Sequence, residues 1–201
     1  MSEIKIGFFS LQDGTGCTSF ANHAANHLVA GENKVALIEP DTVIEKEYST
    51  VKAEFADDGT FYLNEVHYYP AGATTEPEET IEIYDFGKIT IFHEFEKDFD
   101  KLYLCTDGTG KDIPDIKEYL LESQIQYELI IPGASKDIFN AYKELGNKVI
   151  SVGGKKETVC PYDLALRLNL ILRSKGLVPP EYHKEWEYAP IIFHYVPEEE
   201  K

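Results

Sequence analysis

The sequence predicts an α/β protein, a three-layer sandwich whose mainly parallel, doubly wound sheet is covered by helices on both faces. Three observations predict it. Residues 5–41 read as strand, glycine loop, helix, strand, the βαβ unit that needs a crossover between parallel strands. From Ile81 to Lys175, short apolar runs alternate with amphipathic helical patterns. The chain has 201 residues, the length of one domain with enough core for such a sheet.

The elements follow in order. Ile6 to Leu11 is rich in Ile and Phe and reads as a buried strand. A loop, Gln12 to Cys17, leads to a helix capped by Thr18 or Ser19, with Phe20, Ala21, Ala24, Ala25, Leu28 and Val29 on one face. Gly31 ends that helix, and Val35 to Ile38 is a second buried strand. A short surface helix is expected within the charged stretch Thr42 to Phe55. Asp57-Asp58-Gly59-Thr60 signals a turn, and Phe61 to Tyr69 alternates as an exposed strand or a hairpin arm does. Ile81 to Tyr84 is a strand, with Asp85 opening a turn after it. Thr90 to Asp100 reads either as a short helix or as an edge strand.

Leu102 to Thr106 is the next strand, followed by a helix over Ile113 to Ser123. Tyr127 to Ile131 is a strand closed by Pro132-Gly133, and Lys136 to Leu145 is a helix stopped by Gly146. Lys148 to Val152 is a strand, and Pro161 to Lys175 is a long apolar helix ended by Gly176. Residues 1–176 are thus one domain. Residues 177–201 form an aromatic, proline-punctuated extension packed on the domain or on a partner, with IIFHYV a candidate strand on an edge.

Composition narrows the function. The chain is 43% hydrophobic and 12% aromatic, which excludes a disordered chain. Its net charge is −17, from 36 acidic against 19 basic residues, which argues against a nucleic-acid surface and against anionic lipid. Cys17, Cys105 and Cys160 lack paired spacing, so no disulfide framework or zinc knuckle is expected and a reducing cytosol fits. MSEIKIGFFS lacks the apolar core of a secretory leader, and no run is long enough for a membrane span.

The loop carries the main clue. Gln12-Asp13-Gly14-Thr15-Gly16-Cys17-Thr18-Ser19 lies between a buried strand and a helix, where backbone amides and the helix N-terminus favour a phosphate. It resembles the KGGxGKTT loop of the MinD/ParA group of P-loop ATPases. On that pattern Gly14, Gly16, Thr18 and Ser19 match. Gln12 stands for the signature Lys and Cys17 for the phosphate-binding Lys, so both cations are gone. The resemblance covers most of residues 1–176. It implies a P-loop NTPase-like fold with nucleotide contacts at Gly14, Thr15, Gly16, Cys17, Thr18, Ser19 and Asp41. It also implies Mg²⁺ at Thr18 and Asp85, the latter standing where the family carries the Asp that holds a Mg²⁺ water. The family's base-reading Asn would fall near Pro132, which has no amide side chain.

Three other constellations bear on chemistry. Cys105-Thr106-Asp107-Gly108-Thr109-Gly110-Lys111 resembles the HCxxGxGR[ST] loop of cysteine phosphatases, but Leu104, Lys111 and Asp112 replace the His, the Arg and the final hydroxyl residue. A glycine turn beside a buried Cys is the plainer account. His23 and His27 are spaced i, i+4 without the Glu or third ligand of a zinc site, and read as a partly exposed pair. Lys155 and Lys156 follow the last core strand in a neighbourhood that meets the adenine in the family.

The resulting expectation is a degenerate MinD/ParA-like protein that binds ATP or ADP with Mg²⁺ weakly, or no nucleotide at all. It would act as a localisation or assembly factor through protein partners, as a cytoplasmic protein and as a homodimer across the nucleotide face. The alternatives are an ATPase that borrows Lys155 or Lys111, and an enzyme using Cys17 or Cys105 as a nucleophile, phosphatase-like if Cys105.

Overall fold

The computed structural model describes residues 4–40, 46–48, 55–90, 95, 98–122, 126–145, 148–152, 160–181 and 193–195. The strands are β1 (Ile4–Ser10), β2 (Val35–Ile38), β3 (Lys46–Tyr48), β4 (Phe61–Leu63), β5 (Val66–Tyr69), β6 (Ile81–Lys88), β7 (Lys101–Cys105), β8 (Glu128–Pro132), β9 (Lys148–Val152) and β10 (Phe193–Tyr195). The helices are α1 (Cys17–Val29), α2 (Ile113–Glu122), α3 (Lys136–Lys143) and α4 (Tyr162–Ser174).

Eight strands form one sheet in the order β4-β5-β2-β6-β1-β7-β8-β9. Every pairing in it is parallel except β4 with β5. β1 lies in the interior of the sheet, pairing with β6 on one side and β7 on the other. Side chains alternate across β1, so Ile4, Ile6 and Phe8 fall on one face and Lys5, Gly7 and Phe9 on the other. Ile4, Ile6 and Phe8 face one core with Phe20, Ala21, Ala24 and Leu28 of α1 and Leu164, Leu168 and Leu172 of α4. Phe9 faces the other with Ile116 and Tyr119 of α2 and Tyr142 of α3. Helices therefore cover both faces, and the three-layer doubly wound sandwich is what the sequence predicts.

One polar device locks the first helix to the sheet. Tyr68 of β5 donates its hydroxyl to Asn22 Oδ1 of α1 at 2.9 Å inside the core. Asn22 Nδ2 in turn donates to the Thr18 carbonyl at 2.9 Å. Tyr68→Phe leaves the Asn22 oxygen without that donor, and a loss of about 1–2 kcal/mol in urea unfolding is expected.

Several local expectations are corrected. The expected surface helix of residues 42–55 is not formed at Lys46–Tyr48, which is strand β3 and pairs antiparallel with β10 in a separate two-stranded sheet. The tail strand therefore adds to β3, not to the edge of the main sheet. The α1 N-cap is Gly16 at φ 85, with no side-chain cap, in place of Thr18 or Ser19. α1 ends at Val29, and the left-handed residue after it is Glu32, not Gly31. The stretch Phe61 to Tyr69 is not a single exposed strand or arm but a whole hairpin, β4 and β5, which turns on Asn64 and Glu65, both at positive φ as a tight two-residue turn requires.

β6 runs past Asp85 to Lys88 instead of turning there. Phe8 pairs with Asp85 and Ser10 with Lys88, so two steps on β1 oppose three on β6 and make a bulge. The Gly87 N–H closes it onto Asp85 Oδ1 at 3.1 Å. Most of Thr90 to Asp100 lies outside the described residues, but Phe95 and Phe99 pack on the α2/α3 core.

Candidate functional site

Because β1, β6 and β7 are parallel, their carboxyl ends deliver three segments to one edge of the sheet. These are the loop of residues 11–16, the bulged end of β6, and the loop of residues 106–112.

The first loop keeps a left-handed frame, with Gly14 at φ 71 and Gly16 at φ 85. Thr15 is buried, Gly14 and Ser19 are exposed, and Thr18 is half-buried. Cys17, in the place of the phosphate-binding Lys, is buried under the loop with its Sγ 3.6 Å from Asp85 Oδ1. Asp85 is itself 1% exposed and also accepts from the Gly87 amide. The structure thus brings together Cys17 and Asp85, but as a thiol and a carboxylate facing each other.

The rim of the loop is tied to its neighbours. Gln12 Nε2, in the place of the signature Lys, donates to Asp115 Oδ2 of α2 at 2.8 Å. Lys88 Nζ donates to Asp13 Oδ2 at 2.8 Å, with both side chains largely in solvent. An ion pair this exposed contributes little stability. Lys88 went unrecognised in the sequence because the strand was ended at Tyr84. The signal for it is the bulge, which turns the residue after Gly87 toward the loop. The charge of the loop does not favour an anion: residues 12–19 include no Lys or Arg, and Asp13, Asp85 and Asp115 are acidic. No group of three His, Cys, Asp or Glu side chains fit to hold a metal occurs among the described residues.

The second loop repeats the letters DGTG with nearly the same backbone, Gly108 at φ 72 and Gly110 at φ 83. Three of its amides, however, are taken by its own side chains. The Asp107 N–H goes to Asp112 Oδ2 at 3.3 Å, the Gly108 N–H to Thr106 Oγ1 at 3.3 Å, and the Thr109 N–H to Asp107 Oδ1 at 2.7 Å. Asp112 is buried and also accepts the Tyr142 hydroxyl. Burial pushes its carboxyl above the usual range, and the Tyr142 hydrogen bond pulls the other way. Cys105 is 1% exposed and sits in the α1/α4 core with Tyr103, Ile130 and Cys160. A phosphatase loop needs free amides around an accessible thiolate. Neither condition is met.

The Pro132 carbonyl lies close against Gly108 of this second loop. Lys111 is exposed on it and makes no hydrogen bond or ion pair to the first loop. Asp41 and Lys155 lie outside the described residues.

Among the described residues, no group of three potential metal ligands forms around the His pair of α1. His27 is 1% exposed, with Nε2 3.0 Å from Asn169 Oδ1 of α4, so the expected partial exposure is wrong for it. α4 packs over that face, which no local pattern announces. Burial brings His23 down to about 4 and leaves its Nδ1 without a hydrogen-bond partner. It also lowers His27, against the opposing contact with Asn169.

Comparison with known proteins fixes the fold. No protein-family model matches the sequence, and no curated protein matches it either. Among solved structures, the chain is similar to a ParA family ATPase from Chlorobium tepidum TLS, with TM-score 0.52 and 15% identity over 87% of this chain and 94% of that one. It is also similar to a nucleotide-binding protein in complex with ADP from Archaeoglobus fulgidus, with TM-score 0.50 and 9% identity over 91% and 94% of the two chains. At these identities the likeness establishes the architecture, and the chemistry has to be argued from the site. Among the described residues no helix is long and apolar enough to cross a membrane.

Proposed function

We propose that this chain, which has the ParA/MinD-like P-loop NTPase fold, is a non-catalytic or weakly nucleotide-binding member of that architecture that works through protein partners as a localisation or assembly factor. The single observation that carries the reading is Cys17. At the position that reaches the phosphates in an active loop, a short neutral side chain turns inward to Asp85 at 3.6 Å. Phosphoryl transfer depends on positive charge placed where negative charge accumulates, and this loop has no such charge of its own.

Calorimetry with ATP and ADP, with and without Mg²⁺, tests it alongside a phosphate-release assay. Binding weaker than about 100 µM and no turnover above background are expected. Asp13→Gly combined with Cys17→Lys removes an acid from the loop and restores one of the two missing lysines, the phosphate-binding one. It is expected to tighten ATP binding by at least about tenfold, the effect of one favourable charge contact of about 1.4 kcal/mol. Wild-type turnover at ordinary ATPase rates, abolished by Asp85→Ala, overturns the proposal.

A second reading has one observation in its favour. Lys88 reaches the loop from β6, so an ATPase that borrows its cation has a candidate the sequence analysis did not name. On that reading, Lys88→Met removes nucleotide binding that the wild type shows. On the leading one, there is little binding for it to remove.

A further inference from the structure

The inner face of α4, Leu164, Ala165, Leu168 and Leu172, is buried on the sheet and α1. Its outer face is unusual for a solvated helix. Asp163, Leu166, Leu170 and Arg173 follow one another at spacings of three, four and three residues, which places all four on one stripe. Leu166 is 41% exposed and Leu170 57%. Asp163 and Arg173 are exposed and make no ion pair with any described residue. The stripe is thus two leucines bracketed by one charge of each sign.

We propose that this stripe is a self-complementary interface through which two copies of the chain pair by antiparallel α4 helices. Leu166 and Leu170 lie two positions either side of Leu168, and Asp163 and Arg173 five positions either side. A two-fold axis across the helix at the level of Leu168 therefore sets Leu166 against Leu170 of the second copy. The same axis sets Asp163 against Arg173 of the second copy, twice over, as an isologous contact requires. Parallel pairing would oppose like charges, so the orientation is specified by repulsion as well as attraction.

The helix is only about 20 Å long and each chain carries −17, so the pairing is weak, with a dissociation constant on the order of 10–100 µM. The inference does not depend on the glycine loop, whose edge of the sheet is a different surface.

Sedimentation equilibrium on the full chain, from about 1 to about 300 µM at about 0.15 M salt, tests it. A concentration-dependent dimer is expected. Leu170→Asp abolishes it. Asp163→Arg and Arg173→Asp each weaken it by on the order of tenfold, because one change acts at both symmetric contacts. The double variant, with the two charges exchanged, recovers wild-type association. All these positions are exposed, and unchanged thermal melting confirms that each variant folds. A wild type that stays monomeric throughout overturns the proposal, whether the stripe is bare or covered by the chain's own tail or a different protein. So does a dimer indifferent to Leu170→Asp, and so do charge reversals that the exchange fails to rescue.

Discussion

Gly108→Ala is expected to destabilise the protein by about 4 kcal/mol, a large share of a typical domain's stability. A Cβ at this position would stand 1.9 Å from the Pro132 carbonyl oxygen and 3.0 Å from its carbon. Backbone has to move to admit it, with a cost of about 1–3 kcal/mol for overpacking. The residue also sits at φ 72, which adds about 1–3 kcal/mol for a side chain. The neighbours cannot yield easily. Thr106 holds the Ile130 carbonyl and the Gly108 amide, and Ile130 and Pro132 belong to β8 between two strands. Gly72→Ala is the control, since φ is 86 there but nothing lies within 4 Å of the added carbon. It is expected to cost about 1 kcal/mol. Denaturant unfolding of the two variants separates the clash from the dihedral, and equal losses would show that the approach to Pro132 is not what constrains the loop.

Acidification is expected to unfold the protein through His23 and His27. His23 holds near 4 in the folded chain against 6.5 when unfolded, because burial disfavours its charged form. A lowered folded pKa means that the stability is whole above 6.5 and is lost as pH falls toward 4. His23 alone is then worth about 3 kcal/mol across that window, at about 1.4 kcal/mol per unit. His27 is shifted in the same direction. Carboxylates also titrate toward the bottom of the window and relieve the −17 charge, so the informative quantity is the difference between proteins. His23→Gln is expected to flatten the profile: its deficit against wild type at pH 7 shrinks or reverses by pH 4.5. Parallel profiles for the two proteins would show that His23 is free to protonate in the fold.

Much of this architecture is legible in the sequence because parallel strands buried on both faces read as dense apolar runs. Ile81 to Tyr84 and Leu102 to Thr106 are of that kind. What was illegible depends on partners far along the chain. β3 and β10 have three residues each, and Tyr48 finds Phe193 only in three dimensions. Lys88 was missed because a bulge lengthens β6 past the point where a turn was expected. The burial of His27 follows from α4, and the inward turn of Cys17 follows from Asp85. The repeated DGTG shows the limit most plainly. The same four letters hold their two glycines at nearly the same φ twice, once opening directly into α1 and once with three amides held by Thr106, Asp107 and Asp112.

The position of β1 inside the sheet has a consequence during synthesis. Ile4 pairs with Ile81, and Ile6 with Lys101, so neither neighbour of this strand exists when it leaves the ribosome. At about 5–20 residues per second, the segment IKIGFFS waits on the order of 4–15 s for β6 to be made. Until translation brings β6 and β7, the apolar side chains of β1 have no sheet partners to bury against.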